Sequence, residues 1–460
     1  MGSKPDLSNT ESSKRRATLP TLEIRFVPIE RLKPDPRNPR IHSEKQIRQL
    51  AESISTFGFI SPVLVDRQYR LISGHGRVLA AKLARQSEVP TVLVEHLTDE
   101  QRLAFMIADN KLTEASSWDK KLLGEQLKVL SEAEIDFSLE TIGFEMGEID
   151  VLIESSTLSG EAACDPGDDL PDADTLPQIT CPGDVWVLGR NRVFCGNSLC
   201  RNSYSTLMGE HRASIVVADP PYNVRIDGHA TGLGAIRHRN FRMATGEMTE
   251  GEFTDFLAQA FTLMTQYCEA GSLHYVFMDW RHVRELLSAS RHIYSELKNL
   301  CVWVKDNGGM GSLYRSQHEL VFVFKNGVES HSNNVQLGKF GRYRTNVWNY
   351  PGANSFSRST EEGNLLELHP TVKPVALVAD AILDCSKRGD IVLDPFLGSG
   401  TTVIAAERTG RVCHGIDLDP IYIDTAIRRW QKFAGLEARH AISGRTFVEL
   451  EQEASNGTKQ

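Results

Sequence analysis

Apolar and polar positions along the 460 residues divide the chain into two α/β regions separated by a polar, acidic stretch. Residues 1–20 show little apolar pattern and carry the run KRR at 14–16, which predicts a disordered tail. From Thr21 the pattern changes: LEIRFVPIERL reads as a strand that runs into a turn. In SEKQIRQLAESISTFG the apolar Ile47, Leu50, Ala51 and Ile54 recur at helical spacing, with Ser43 placed as N-cap and Gly58 as stop. PVLVD and YRLISG read as strands, GRVLAAKLAR as a helix and VPTVLVEHL as another strand. DEQRLAFMIADNKL and WDKKLLGEQLKVL then read as two amphipathic helices. These elements predict a small α/β domain over 21–130.

A helical connector and an acidic linker are predicted over 131–178. Its stretch EAACDPGDDLPDADTLP is rich in Pro, Gly and Asp, has little that can pack, and reads as a solvated spacer. A larger α/β region follows over 179–446. Its strand candidates are DVWVLG, NRVFCG, ASIVVAD, SLHYVFM, NLCVWVKD, ELVFVFKN, DIVLDPF and GRVCHGID. Several are continuous apolar runs, as strands covered on both faces require. Helices such as GEFTDFLAQAFTLMTQYC and KPVALVADAILDCS alternate with them, which predicts a doubly wound, mostly parallel sheet. Residues 447–460 read as a polar tail.

Composition adds three points. The net charge of −9 argues against a nucleic-acid partner until its distribution is read. Ten acids and no Lys or Arg lie within 145–178, so the remainder is nearly neutral and basic patches can form locally. The eight cysteines are scattered, without CxxC or zinc spacing; Cys195 and Cys200 are the closest couple, and reduced, packed thiols with no metal are expected. No segment has transmembrane length and MGSKPD has no hydrophobic signal region, so a cytoplasmic protein without a membrane partner is expected.

Two stretches carry chemistry. In VVADPPYNV an apolar strand ends in Asp219, Pro220, Pro221 and Tyr222. Consecutive prolines fix the backbone and push the residue before each toward extended geometry, so a carboxylate, a carbonyl and an aromatic ring are held at the mouth of a strand. The second stretch is GDIVLDPFLGSGTTVIAAERTGRVCHGIDLDPIYIDTAIRRW, residues 389–430. A strand leads into a loop with Gly398 and Gly400 and then a helix opening on Thr401; past the next strand stands Asp417, placed to accept from ribose hydroxyls. Val403 stands where a dinucleotide loop needs its third glycine, and no G-K-[ST] step for a triphosphate is present. A nucleoside with a carboxylate tail fits better, and S-adenosylmethionine is such a molecule.

DPPY together with DPFLGSGTT resembles the amino-group DNA methyltransferases that modify adenine N6 or cytosine N4. The catalytic motif precedes the cofactor loop, the permuted order of the beta class of that family; CGNSL at 195–199, HPTVKP at 369–374 and GIDLDPIYIDTAIRR at 415–429 also match. The resemblance implies a Rossmann-like fold and methyl transfer from S-adenosylmethionine to an exocyclic amine in double-stranded DNA, adenine N6 first and cytosine N4 as the alternative. It implies that Asp219 and the Pro220 carbonyl accept from the amine while Tyr222 stacks on a base taken out of the duplex, an extrusion that costs about a few kcal/mol. By the same resemblance Asp394, Phe396, Gly398, Gly400 and Thr401 surround the methionine end of the cofactor. Asp417 holds the ribose, Asn197 lies near the adenine, and Thr371 and Lys373 reach the carboxylate. Such enzymes often pair as homodimers, and phage or prophage modification enzymes without a partner endonuclease have similar fusions, which extends the expected location to the nucleoid.

DNA contacts are expected at Arg225, Arg237, Arg239 and Arg242 in the glycine-containing loop after the catalytic motif, at Arg315 and His318, and at Lys339, Arg342 and Arg344, where cations alternate with aromatics. The N-terminal region, with LISGHGRVLAAKLARQSEVPTVLVE, resembles the ParB/sulfiredoxin superfamily. That resemblance implies a phosphate or nucleotide site at Gly74, His75, Gly76 and Arg77, where a helix opens beside an arginine. The remaining alternative is a ParB-like DNA- or nucleotide-binding regulator whose methyltransferase half has decayed.

Overall fold

A computed structural model describes residues 22–157, 166–168, 176–224, 246–306, 308, 313–352 and 372–457. The chain divides into two compact units, Met1–Asp119 with Glu134–Phe144, and Lys120–Ala133 with Glu145–Gln460. No helix among the described residues is long and apolar enough to cross a membrane.

The first unit is built on four strands, β1 (Ile24–Pro28), β2 (Val63–Val65), β3 (Leu71–Ser73) and β4 (Glu88–Leu93), in the order β1-β4-β2-β3. Only β2 and β4 run parallel. Helix Glu44–Phe57 starts where expected, with the Ser43 hydroxyl accepting from the Gln46 amide at 3.2 Å. It ends at Gly58, whose φ of +81° is open to glycine and strained for other residues. Val78 and Ala81 of helix His75–Leu83 close the core over Val27, Val63, Val65, Leu71 and Val89. Helix Asp99–Glu114 opens on a capping box between Thr98 and Gln101.

The second unit holds a ten-stranded sheet. Its members are β5 (Val185–Leu188), β6 (Asn191–Cys195), β7 (Ala213–Ala218), β8 (Cys268–Met278), β9 (Glu296–Val304), β10 (His318–Lys325), β11 (Val347–Asn349), β12 (Ile391–Asp394), β13 (Val412–Asp417) and β14 (Arg439–His440). Their order is β11-β9-β10-β8-β7-β12-β13-β6-β5-β14. The five strands from β8 to β6 are mutually parallel. Antiparallel pairs flank them, β10 with both β8 and β9 on one side and β5 with β6 and β14 on the other. All eight strands expected from apolar runs are present. Along β7, Ile215 and Val217 enter one core while Val216 and Ala218 enter another, so both faces of the sheet are covered.

Three expectations about the ends of this unit give way. Helix Lys120–Glu132, assigned above to the N-terminal domain, packs instead against helix Met146–Thr157. Gly124 permits the approach: a Cβ there would lie 2.3 Å from the Leu152 carbonyl oxygen. The stretch read as a solvated spacer is tied down where it is described, at Gly167 and Asp168, and the helical connector before it is anchored as well. Asp150 is buried and accepts from the buried Arg411 and from Arg388. Asp168 accepts from the Val375 amide at 2.8 Å, and the Gly167 carbonyl accepts from Arg429. These groups neutralise or cap partners in the sheet domain, so composition misjudged them. The polar tail begins with a helix, Phe447–Gly457, whose Phe447 is fully buried against Trp186.

Candidate active site

The strands β7, β12, β13 and β6 are neighbours and parallel, so their carboxyl ends lie along one edge of the sheet, where open α/β sheets bind ligands in a crevice. Asp394 and Asp417 are the last residues of β12 and β13, and Asp219 and Asn197 stand just past β7 and β6. Asp219 follows β7 directly and is half-buried, with Pro220 buried behind it. The Tyr222 hydroxyl lies 2.7 Å from Asp219 Oδ1 and 3.1 Å from Glu319 Oε2. It has one proton, so it donates to one carboxylate at a time. The Lys373 ammonium lies 2.6 Å from Asp219 Oδ2 and 3.2 Å from Glu319 Oε2, and Lys305 reaches Glu319 Oε1 at 2.5 Å. Phe277 and Trp303 flank Lys373, with ring centroids 5.2 and 6.0 Å from Nζ.

Two acids and two lysines thus balance in charge beneath the tyrosine. Burial pushes the Asp219 carboxyl upward against the pull of Lys373. Burial also pushes Glu319 upward, but Lys373 and Lys305 together outweigh it and hold this carboxyl down at about 2. Lys373 is disfavoured by burial, yet its two acidic partners keep it above the ordinary lysine range. Asp219 is therefore the more basic of two carboxylates that share one ammonium. Lys373, expected at a cofactor carboxylate, is placed by the structure on Asp219. Glu319 and Lys305 were not singled out from the sequence; the one signal was a charged residue beginning an otherwise apolar strand.

On the other side of Asp219 lies the glycine loop. Gly398 has a φ of +53°, and a Cβ built on it would meet nothing within 4 Å, so the backbone borders open space. Gly400 has a φ of +84°; its Cβ would meet the Ala426 Cβ at 2.5 Å, so this glycine serves helix packing. Asp417 accepts from the Gly398 and Asp419 amides, both at 2.8 Å. Asp394 is buried and accepts from the Phe396 amide at 3.0 Å and the Thr402 hydroxyl at 2.6 Å. Burial raises its carboxyl to about 7 against the Thr402 hydrogen bond. Phe396 is half-buried, with its ring 6.2 Å from that of Phe256. The Thr401 hydroxyl donates to the Lys373 carbonyl at 3.3 Å, tying the loop to the segment that reaches Asp219. Arg429, also missed, is buried and donates to the Ser399 carbonyl at 2.7 Å, which fixes the loop from behind. Asn197 accepts from the Leu199 amide at 2.8 Å and shapes the turn after β6.

With Asp219 and Glu319 balanced by Lys373 and Lys305, the acids beside the glycine loop are Asp394 and Asp417, which suit an ammonium or a ribose diol better than a polyphosphate. The donor set and the open backbone at Gly398 therefore fit S-adenosylmethionine better than a dinucleotide.

The expected DNA contacts divide. Arg342 is buried and donates to Asp380 and Asp384, and Arg344 donates to the same two acids and to the Tyr350 hydroxyl. Their desolvation is offset by these carboxylates, with Glu154 a further partner of Arg342 at 3.5 Å, so the DNA role expected for both arginines gives way to a structural one. Lys339 is exposed and pairs with Glu145 at 2.8 Å. Arg315 is exposed, and His318 opens β10 one residue before Glu319. Arg225, Arg237, Arg239, Arg242 and Thr371 lie outside the described residues. Asn223, with a φ of +52°, donates to the Met248 carbonyl and accepts from the Gly246 and Met248 amides, so it joins the two ends of the basic segment.

In the N-terminal unit Gly74 caps helix His75–Leu83 with a φ of +96°, and a Cβ on it would press on Val63 at 2.7 Å. A Cβ on Gly76 would meet the His42 ring at 2.9 Å. His75 accepts from the Asp35 amide at 3.4 Å and Arg77 donates to the Ser61 carbonyl at 2.8 Å.

Comparison with known proteins locates three families on the chain. Residues 213–428 match a DNA methylase family, residues 13–111 a ParB N-terminal domain, and residues 121–182 a ParB-methyltransferase HTH domain, which covers the stretch read above as connector and linker. The ParB-like nuclease domain-containing protein YnaK of Escherichia coli K12 is 44% identical over 81 residues, 18% of this chain and 93% of YnaK. The type II methyltransferase M.HpaI of Haemophilus parainfluenzae is 28% identical over 244 residues, 50% of this chain and 73% of that one. The DNA adenine methyltransferase YhdJ of Escherichia coli K12 is 26% identical over 240 residues, 47% of this chain and 75% of that one.

Proposed function

Because the chain belongs to the N6/N4 family of DNA methylases and carries a ParB N-terminal domain ahead of it, we propose that it transfers the methyl group of S-adenosylmethionine to the N6 amine of adenine in double-stranded DNA. The observation that supports this reading is that the Asp219-Pro220 corner and the glycine loop are joined through Lys373, whose ammonium meets Asp219 and whose carbonyl accepts from Thr401. The lone pair of the exocyclic amine is delocalised into the ring and is a poor nucleophile. Asp219 and the Pro220 carbonyl accept its two N–H groups, which lets the nitrogen pyramidalise and turn its lone pair outward. Fixed acceptors facing a developing positive charge lower the barrier without reorganising, the kind of electrostatic preorganisation that is worth about 3–4 kcal/mol per group. The Tyr222 ring stacks on the extruded base. Bound S-adenosylmethionine supplies an electrophilic methyl on a sulfonium. Asp417 receives the ribose hydroxyls, Asn197 borders the adenine, and Asp394, Phe396, Gly398, Gly400 and Thr401 line the methionine end. The amine gains the methyl and sheds one proton, with no covalent intermediate on the chain.

Adenine is favoured over cytosine by the DPPY corner and by likeness to a relative named as an adenine methyltransferase. DNA contact is proposed for Arg315, His318 and Lys339, together with Arg225, Arg237, Arg239 and Arg242. For the N-terminal unit we propose a phosphate or nucleotide site at the opening of helix His75–Leu83, where no side chain caps the first turn and Arg77 stands in it. Methylation-sensitive long-read sequencing of DNA from cells expressing the chain tests the catalytic reading. N6-methyladenine at a recurrent site is expected; N4-methylcytosine would reassign the base, and unmodified DNA would remove the activity.

A further inference from the structure

Glu319 and Lys373 belong to neither stretch that carries the expected chemistry, yet both converge on the catalytic carboxylate. Glu319 enters from the start of β10, one residue after His318, and Lys373 from the segment leading into helix Val375–Cys385. The ammonium is 6% exposed and lies between two acceptors, Asp219 Oδ2 at 2.6 Å and Glu319 Oε2 at 3.2 Å. Were Asp219 alone with this buried lysine, a tight ion pair would draw down the electron density that the target amine needs. A second carboxylate on the same ammonium weakens that pair, and Lys305 on the far oxygen of Glu319 keeps the second carboxylate ionised.

We propose that Glu319 is a positioning residue which, by sharing Lys373 with Asp219, holds the catalytic carboxylate in place and leaves it a strong acceptor for the target amine. The inference rests on the methyltransferase reading given above. The Tyr222 hydroxyl fits the same arrangement. It can donate to Asp219 while the corner is empty and turn to Glu319, 3.1 Å away, when the amine takes Asp219 Oδ1. The charged and titratable groups that face Asp219 are Tyr222 from its own loop, Glu319 from β10, Lys373 from the segment before helix Val375–Cys385, and Asp394 from the end of β12. Phe277 of β8 and Trp303 of β9 supply the apolar wall against Lys373.

Two substitutions move Asp219 in opposite directions. In Glu319→Gln the lysine serves Asp219 alone, so the acid becomes weaker as a base. In Lys373→Met the buried acid loses its cation and becomes a stronger base. The experiment is the pH dependence of single-turnover methylation of a DNA duplex by the full chain, paired with carbon NMR of aspartate carboxylates in the cofactor-free protein, Asp219 being identified by its absence in Asp219→Asn. The acidic limb and the carboxylate titration are expected to fall by about 1 pH unit or more in Glu319→Gln and to rise by a similar amount in Lys373→Met. Activity losses in both variants with neither limb nor titration moved, in proteins that melt like wild type, would overturn the proposal. Absence of methylation by wild type alongside the two opposite NMR shifts would remove the methyltransferase reading and leave the electrostatic coupling standing.

Discussion

In the proposed reaction one carboxylate, Asp219, holds and polarises the amine, so the effect of removing its charge is large and specific. Asp219→Asn is expected to lower the methylation rate by about 10²–10³-fold or more, while S-adenosylmethionine affinity measured calorimetrically changes little, because the cofactor-facing residues are untouched. Asp394 supports a second prediction, of the opposite kind. Its carboxyl is raised to about 7 by burial, against 3.8 for an ordinary aspartate. Between these values the folded chain keeps a proton that the unfolded chain releases, so the stability of the cofactor-free protein declines as pH rises from about 4 to about 7. Above that window the slope from this group vanishes. Denaturant titrations at several pH values are expected to show the decline in wild type and a shallower one in Asp394→Asn. The residues of the corner that were legible in the sequence, Asp219 to Tyr222, are contiguous. Glu319, Lys305 and Arg429 were not, because they reach the site only when strands and helices far apart in the chain are assembled, and no local spacing announces them.

Among the elements, apolar runs announced the strands well because a strand covered on both faces must be apolar along its length. β11 and β14 escaped, because VWN and RH carry no apolar run of the kind that marks even the three-residue β2. Helix Met146–Thr157 falls in the stretch expected as a helical connector, but the sequence did not announce that its Asp150 is buried against Arg411. That pairing can be measured. Asp150→Ala leaves Arg411 and Arg388 without their shared carboxylate in the interior, a loss of about 3–5 kcal/mol expected in urea unfolding. Its packing partner carries a companion test at Gly124. Alanine there gains about 1 kcal/mol of helix propensity, but its Cβ would fall 2.3 Å from a backbone oxygen that cannot move alone. Overpacking of this kind costs about 1–3 kcal/mol, so Gly124→Ala is expected to be neutral to destabilising in the same titrations, where an exposed helix glycine would stabilise.

For the whole molecule, the fold places a methyl-transfer site in one unit and a ParB-type domain in another, with an overall charge of −9 that opposes DNA. Local basic segments must then supply the attraction, and counterion release makes such binding steeply salt-dependent. Fluorescence anisotropy on a labelled duplex is expected to show affinity falling about a hundredfold or more between roughly 50 and 200 mM salt; a flat profile would remove the basic loops as DNA contacts. The most direct test of the catalytic assignment is a labelling experiment with purified protein, S-adenosylmethionine carrying a radioactive methyl, and DNA lacking prior modification, followed by mass spectrometry of the released nucleosides. The expected result is label in N6-methyladenine with the wild-type chain and none with Asp219→Asn. Label appearing equally with both proteins, or with neither, would contradict the role assigned to the acid–proline corner.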